Sequence, residues 1–554
     1  MKLSLTLDRV RELARAHRLI PLCLDVVADL ETPVTAYLKV ARGRYSFLLE
    51  SVEGGERRAR YSFIGTEPRA IIERRDEADR FLAFRYEVVN GEKSGNGVAI
   101  DPDVLPLLRR DVLGASAWVD PALPSFVGGA IGYLGYETVR LWEPRVPHTP
   151  GEAVDMPGAV LLETDTVLAF DHYAHRIRIV THVRVDDHAT IDDAYAAAAA
   201  RLTDLASRLR DPLPSDLTIP ATHEAGVLES NVARKTHEDG VAAIKDMIRE
   251  GDAIQVVLSQ RFARPTAARP FDIYRALRTV SPTPYMYCLH LDDLDIVGAS
   301  VETLVRVTGR DVYYHPIAGT RRRGRDDEED LALEAELRMD EKERAEHLML
   351  VDLGRNDVGR VAATGTVRVT DLMTVERYSN VMHLVSTVEG LLEDGLDALD
   401  ALRVCFPAGT VSGAPKVKAM EILAGLEKGA RRIYAGAVGY VTYGGDLDTC
   451  IAIRTAAIVD GVAYVQAGGG LVSDSVPSDE YMETVHKASA LQRAIDLAEA
   501  GLEGPPPPIS PVTAAFLERH AEQEVGASAS LPHDKEAGAL APLYDEAERV
   551  GTLR

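Results

Sequence analysis

No stretch of this chain keeps the strand–helix–strand rhythm that a doubly wound parallel sheet requires. Its extended segments read instead as antiparallel neighbours joined by turns, with helices scattered among them. Ala36–Glu50 and Ala59–Gly65 read as strands linked by a turn at Glu53–Arg58. Val160–Asp171 and Arg176–Val185 read as a hairpin, whose second arm alternates as RIRIVTHVRV, the period of a half-buried strand. Ala253–Phe262, Tyr285–His290, Asp295–Ala299, Tyr434–Tyr443, Cys450–Val459 and Gly461–Ala467 are further strands, with Gly468–Gly470 as a glycine turn. The glycines of Phe126–Glu137 (FVGGAIGYLGYE) mark backbones that approach one another closely. Thr190–Arg208, Thr236–Glu250, Asp272–Thr279, Leu331–Asp352 and Ser478–Glu499 carry helical patterns. The expected class is α+β with largely antiparallel sheets.

Apolar residues make up 46% of the 554, enough to bury a sizeable core. With 62 Lys and Arg against 86 Asp and Glu, the net charge of -24 argues against a nucleic-acid binder, which must neutralise phosphates. A small anionic substrate in a local basic pocket stays compatible with it. No run approaches the ~18 apolar residues of a membrane span. The N-terminus carries charge at Asp8, Arg9, Arg11 and Glu12, where a signal peptide would be apolar. Cys23, Cys288, Cys405 and Cys450 lie far apart and form no CxxC pair, so each is expected as a small buried hydrophobe in a reducing cytoplasm. Residues 211–223 read as a Pro/Ser/Thr linker, and four prolines from Pro505 open a polar tail with the stiffness of a polyproline spacer.

Two Glu-x-x-Glu pairs stand out, Glu343 with Glu346 and Glu480 with Glu483. Residues three apart share a helix face, so each pair aims two carboxylates one way. Two such helices face to face would offer oxygen ligands to a hard cation such as Mg2+. A chain this acidic also shows the spacing on solvated faces. Ala408–Lys416 (AGTVSGAPK) is no ATP-binding phosphate loop: Gly409 and Gly413 stand one residue too close, and Val417 replaces the hydroxyl that ligates magnesium. Its amides, those of Gly468–Gly470, or the Gly319-Thr320-Arg321 turn could instead cradle a carboxylate. Arg454 reads as an inward strand arginine that needs a partner, either a substrate carboxylate or a structural ion pair. His383 is either a satisfied core histidine or a proton-transfer group. Asp357 and Tyr434 carry the same double reading.

In order along the chain, these segments resemble the chorismate-utilising enzymes, and within that family most closely the anthranilate synthase component I branch. The resemblance rests on LLES (48–51), RYSFIG (60–65), GGAIGYLGYE (128–137), GDAIQVVLSQRF (251–262), SPTPYMYCL (281–289) and PIAGTRRRG (316–324). It continues through DEKERAEHLMLVDLGRNDVGR (340–360), VERYSNVMHLVS (375–386), FPAGTVSGAPKVKAMEI (406–422), YAGAVGY (434–440), DTCIAIRT (448–455) and QAGGGLVSDSVPSDEYMET (466–484).

The resemblance implies a sandwich fold in which a regulatory region is intertwined with a catalytic one. As a linear approximation these are residues 1–210 and 224–500, with 211–223 as linker and 501–554 as tail. It implies a cytoplasmic, Mg2+-dependent lyase of tryptophan biosynthesis that turns chorismate and ammonia into anthranilate and pyruvate. The ammonia would come from glutamine through a separate amidotransferase subunit, in a hetero-oligomer of which a heterotetramer is one form. Mg2+ would be held by Glu346 and Glu483, with Glu343 and Glu480 close by. Arg454 and Tyr434 would grip the enolpyruvyl carboxylate, with Gly319, Thr320, Gly468, Gly469 and Gly470 orienting the ligand. Glu302 would be the general acid and His383 the group that takes the C2 proton. Gln255 stands where water-adding members carry a lysine base, and Ala318 where the para-aminobenzoate branch carries a nucleophilic lysine. Feedback inhibition by L-tryptophan would draw on Glu50, Ser51, Pro284, Tyr285 and Met286. The chain departs from the family pattern at Val301 (usually Pro), Ser281 (usually Asn) and Gly469 (usually Ala). The competing readings are an aminodeoxychorismate synthase component and a non-catalytic homologue that binds chorismate or tryptophan.

Overall fold

Along Tyr285–Leu291, alternate residues enter different cores: Met286 and Cys288 face one side, Tyr287, Leu289 and Leu291 the other. Such a strand needs an apolar layer on each face. The computed structural model describes residues 2–51, 60–77, 80–214, 226–378 and 381–502, and these belong to one compact unit. Among the described residues, two antiparallel sheets of twelve strands each stack face to face. Tyr45, Phe47 and Leu289 of the first sheet meet Ile131, Leu162 and Val438 of the second in the layer between them. Helices cover the outer faces: Ile191–Arg208, Pro270–Val280 and Pro477–Glu499 on the first sheet, Glu341–Gly359 and Ala398–Cys405 on the second. This is the α+β sandwich expected from the sequence.

Strands from before and after residues 211–223 share both sheets. Tyr45–Glu50 pairs with Tyr285–Leu291, placing Glu50 opposite Met286, and Gly129–Leu134 pairs with Ala437–Thr442. Most of the 211–223 linker, and the tail from residue 503, lie outside the described residues. Among the described residues no helix is long and apolar enough to cross a membrane. All four cysteines are buried and unbridged.

Several elements differ from the sequence expectation, Cys450–Val459 among them, which is divided between Leu447–Ile451 of the second sheet and Thr455–Val459 of the first. The start of Ala36–Glu50 is helical: Pro33–Val40 is a helix, capped by Thr32 and Thr35 in a reciprocal box with Pro33 in its first turn, and only Tyr45–Glu50 is a strand. Val160–Asp171 is two strands, Ala159–Thr164 in the second sheet and Thr166–Asp171 in the first. Asp165 marks the crossing, held there by Arg184 at 2.6 Å and the Tyr443 hydroxyl at 2.6 Å. Leu331–Asp352 is broken into Asp327–Met339 and Glu341–Gly359. Asp340 ends one helix and starts the next, its carboxylate accepting the Glu343 N–H. That break sets where Glu343 and Glu346 point.

Candidate active site

Two chain crossings between the sheets lie side by side. Leu294–Ser300 of the first sheet continues through Val301 and Glu302 into Thr303–Thr308 of the second. Leu447–Ile451 of the second continues through Ala452–Arg454 into Thr455–Val459 of the first. Backbone hydrogen bonds join the crossings, from Ile451 N to the Glu302 carbonyl at 3.0 Å and from Ala299 N to the Arg454 carbonyl at 3.1 Å. Beside them opens a cavity of about 430 Å³. It is lined by Glu302, Arg454, Gln255, His383, Tyr434, Gly319, Thr320, Gly468 and Gly470, and by all four glutamates of the Glu-x-x-Glu pairs. Gly469 is not among its lining residues, although it belongs to the same strand.

Arg454 is not the inward strand arginine expected. It sits between strands with φ +49°, a left-handed conformation that costs a non-glycine residue about 1–3 kcal/mol. Among the described residues it has no carboxylate partner, and burial alone lowers its pKa. A desolvated guanidinium without a counter-ion is an anion receptor. Glu302, 6% exposed, is its opposite: burial pushes its carboxyl up to about 8, against smaller opposing effects of the Thr410 hydroxyl and the Lys487 ammonium. It is therefore protonated at neutral pH.

His383 is driven down to about 4 by burial and by the neighbouring Arg454 charge, so its imidazole is neutral. Its Nδ1 lies 3.2 Å from the Gly319 carbonyl and 3.0 Å from the Thr320 hydroxyl. The carbonyl can only accept, which assigns the proton to Nδ1. Nε2, which has no partner among the described residues, keeps a lone pair. Gly319 is not in a turn: it forms a bulge in the strand Ile317–Arg322, with φ +66°. Nor do Gly468–Gly470 form a turn. They lie in Val462–Leu471, paired with Ser259, Leu258 and Val257, and a Cβ at Gly468 would strike the Tyr434 hydroxyl.

The carboxylate pairs lie on Glu341–Gly359 and Pro477–Glu499, as their spacing suggested. The second helix is anchored by Arg264, 1% exposed, which pairs with Asp496 at 2.5 Å and with Glu499. Glu346 accepts from the Gln255 amide at 2.9 Å, Glu343 faces Arg321 at 3.3 Å and Glu483 pairs with Lys487 at 2.6 Å. Burial, then the Glu483 charge, pushes the Glu480 carboxyl up to about 7, and its Oε2 has no partner among the described residues. Burial also raises Glu343, whereas Lys487 outweighs burial at Glu483 and holds it down. Oxygen-only donors, the orphaned Glu480 oxygen and the Glu483 charge that bears on it fit a hard divalent cation. Among the described residues, no three such side chains converge closely enough to enclose one.

Lys342, Lys487 and Thr410 also line the cavity, and sequence reasoning missed them. Lys487 carried a signal, four residues after Glu483 on one helix face. Asp357 proves structural: buried, it pairs with Lys416 at 2.7 Å. That pair also ties up the lysine of the Ala408–Lys416 segment.

A second cavity, of about 310 Å³, opens between the sheets and is lined by Glu50, Ser51, Pro284, Tyr285 and Met286 together with Tyr61, Phe63 and Tyr440. Glu50 accepts from the Tyr274 hydroxyl and pairs with Arg278 at 2.8 Å. The Tyr285 hydroxyl reaches Thr303 at 2.9 Å and donates to Asp448 at 3.0 Å. Val301, in the first crossing, lines both cavities.

The sequence model of the chorismate binding enzyme family matches residues 47–493. The chain is 45% identical to anthranilate synthase component 1 of Pseudomonas aeruginosa over 499 residues, covering 89% of this chain and 99% of that one. The crystal structure of anthranilate synthase component I from Streptococcus pneumoniae superposes with a TM-score of 0.70 at 36% identity, over 84% of this chain and 99% of that one. The menaquinone-specific isochorismate synthase MenF of Escherichia coli shares the fold, with a TM-score of 0.62 at 18% identity over 88% and 98% of the two chains.

Proposed function

Because the chain belongs to the chorismate binding enzyme family, we propose that it acts as the synthase subunit of an anthranilate synthase, releasing anthranilate and pyruvate from chorismate and ammonia. One observation carries the reading: a desolvated arginine without a carboxylate partner, a protonated glutamic acid and a neutral histidine with an open lone pair line one cavity. That is an anion grip, an acid and a base for a dicarboxylate that must lose a hydroxyl and then a proton.

Arg454 binds the enolpyruvyl carboxylate, with the Tyr434 hydroxyl beside it. Glu302 gives its proton to the C4 hydroxyl, which leaves as water as ammonia bonds to C2. The surplus ammonium proton returns to the Glu302 carboxylate. His383 Nε2 then takes the C2 proton, the ring becomes aromatic, and the C3–oxygen bond breaks to release enolpyruvate, which takes up a proton to become pyruvate. Glu346 and Glu483, flanked by Glu343 and Glu480, would hold Mg2+, which supplies positive charge toward the ring carboxylate when bound. Ala318 lines the cavity where a lysine would form a covalent adduct, and Gln255 offers an amide where a lysine would activate water.

Glutamine would be the ammonia source through a second polypeptide, with which the chain forms a hetero-oligomer. The "component 1" in its relatives' names supports that reading. So do the buried cysteines, whose thiols are pushed up by burial, Cys23 to about 11, and suit no nucleophilic glutaminase. The cavity between the sheets is read as the tryptophan site: aromatic and aliphatic walls for an indole, and the Glu50 carboxylate for an ammonium. It draws Glu50 and Ser51 from the 1–210 region and Pro284–Met286 from the 224–500 region.

The test is anthranilate fluorescence from chorismate, Mg2+ and ammonium, with pyruvate measured in parallel and tryptophan titrated in. Equal amounts of anthranilate and pyruvate, falling as tryptophan rises, are expected. Aminodeoxychorismate without pyruvate, or no turnover, would overturn the assignment.

A further inference from the structure

The four glutamates of the catalytic cavity do not face the same strand. A Cβ on Gly470 would stand 3.7 Å from Glu346 Oε1, and one on Gly469 would stand 2.9 Å from Glu480 Oε2 and 3.7 Å from Glu483 Oε1. Three carboxylates thus border one end of Val462–Leu471. Glu343 faces Ile317–Arg322 instead. Its Oε2 lies 3.2 Å from where a Cβ on Gly319 would stand, and its Oε1 lies 3.3 Å from Arg321 Nη1. Spacing puts Glu343 and Glu346 on one helix face, and different partners then hold them.

Arg321 is a fixed post. Its side chain is 9% exposed, and its Nε donates to Glu336 at 2.9 Å, its Nη2 to Asp340 at 2.7 Å and its Nη1 to the Thr320 carbonyl at 3.1 Å. Glu336 belongs to the last turn of Asp327–Met339 and Asp340 caps Glu341–Gly359, so the guanidinium is gripped from both sides of the helix break. The other oxygen of Asp340 accepts the Glu343 N–H at 3.0 Å, which fixes the backbone from which that side chain springs. The bonds to Glu336 and Asp340 are the shorter ones, so Glu343 is drawn to the arginine.

Four free carboxylates would carry twice the charge of a divalent cation and would repel a substrate that brings two more. A metal that polarises a substrate needs a ligand position left open for it. We propose that Arg321 is a positioning residue that holds Glu343 out of the cation's ligand shell and so reserves a place there for a substrate carboxylate. This rests on the reading that the cavity binds Mg2+ and chorismate. Arg321 acts through Glu343, since it is not among the residues that line the cavity.

The test measures Mg2+ binding to the full chain by calorimetry without substrate, then the chorismate KM at saturating Mg2+. Arg321→Gln releases Glu343. The Mg2+ dissociation constant should fall about five-fold or more while the chorismate KM rises about five-fold or more. A general loosening of the site would weaken both. Arg321→Gln combined with Glu343→Gln removes the released carboxylate along with its post, and both constants should return to within about three-fold of the parent. Weaker Mg2+ binding or an unchanged chorismate KM in folded Arg321→Gln overturns the proposal, as does a double variant that fails to recover. If Arg321→Gln does not fold, Glu343→Gln decides against Glu346→Gln. A Mg2+ loss as large in the first as in the second makes Glu343 a ligand and overturns the proposal, and a clearly smaller loss supports it. A parent that binds no Mg2+, either alone or with chorismate and no ammonia, overturns instead the reading on which the proposal rests.

Discussion

In the cavity between the sheets, Glu50 is bonded to Tyr274 and Arg278, and the Tyr285 hydroxyl to Thr303 and Asp448. In the cavity beside the crossings, Arg454 meets no carboxylate, His383 Nε2 has no hydrogen-bond partner and Glu480 Oε2 has none, all among the described residues. A buried polar atom without a partner costs about 1–3 kcal/mol, and among the described residues the catalytic cavity carries more of that standing cost, at Gln255, His383, Thr410 and Glu480, than the cavity between the sheets, where His315 Nε2 bears it. Paired groups present a fixed shape and charge to a guest. Unpaired ones are stabilised only when a guest arrives, and they speed a reaction where that stabilisation is stronger in the transition state than in the bound ground state.

The largest effect should come from removing the unpaired cation. Arg454→Met keeps the volume and deletes the charge, and kcat/KM for chorismate should fall roughly 1,000-fold, about 4 kcal/mol. Steady-state kinetics at saturating ammonia measure it. A loss under ten-fold would mean that the arginine is not the anion grip.

Glu302→Gln should lower kcat about 100-fold or more by removing the acid, with less effect on the chorismate KM. The same change should stabilise the protein. With a folded pKa of about 8 against an ordinary 4.5, the parent is protonated in both states below pH 4.5. Between 4.5 and 8 the unfolded chain ionises and the folded one does not, so stability drains from the parent as pH rises. The glutamine variant should be ahead by roughly 3 kcal/mol at pH 7, with no further gain above pH 8. Urea melts at pH 4, 7 and 9 read the gap, and a pH-independent gap would contradict the buried neutral acid. In the parent, kcat/KM should decline above pH 8 as the acid ionises.

Glu346→Gln and Glu483→Gln should each weaken Mg2+ and raise the concentration needed for half-maximal rate by about 10–100-fold. Full activity in both at low Mg2+ would remove the cation from this cavity. Glu50→Gln tests the other one. It leaves Arg278 without its counter-charge, and the tryptophan concentration for half inhibition should rise about ten-fold, or 1.4 kcal/mol. If Glu50→Gln changes turnover as strongly as inhibition, the division of labour between the cavities fails.

Much of the catalytic cavity was legible because its residues sit in short motifs whose spacing survives folding. The glutamate pairs point together because three residues apart is one helix face, whatever the helix packs on. What was not legible depended on contacts between distant segments. Asp165 looks like any strand residue until Arg184 and Tyr443 meet it at a crossing between sheets. Gly468–Gly470 has the composition of a turn, and only Leu258 and its neighbours across the ladder hold it extended. Arg454 looked like an inward strand arginine because IAIRT is apolar around it. Its position at a crossing follows from two sheets that separate there, which no local pattern states. Asp340 was the reverse case, since its aspartate three residues before Glu343 is a capping signal present in the sequence.

The smallest effect is the most informative about how the two cavities relate. Val301 lines both, Glu302 next to it reaches the catalytic one, and Thr303 after that bonds the Tyr285 hydroxyl in the other. A guest that displaces Tyr285 therefore pulls on the residue following the acid. Val301→Ala removes two methyl groups from the shared wall, at a cost of about 1 kcal/mol. If the wall couples the cavities, kcat/KM and the tryptophan half-inhibition concentration should both shift, each by about five-fold. Combined with Glu50→Gln, the two shifts in inhibition should then fail to add, as expected for groups that share one moving element. Additive shifts, or a change in turnover alone, would make Val301 a partition that separates the cavities without linking them.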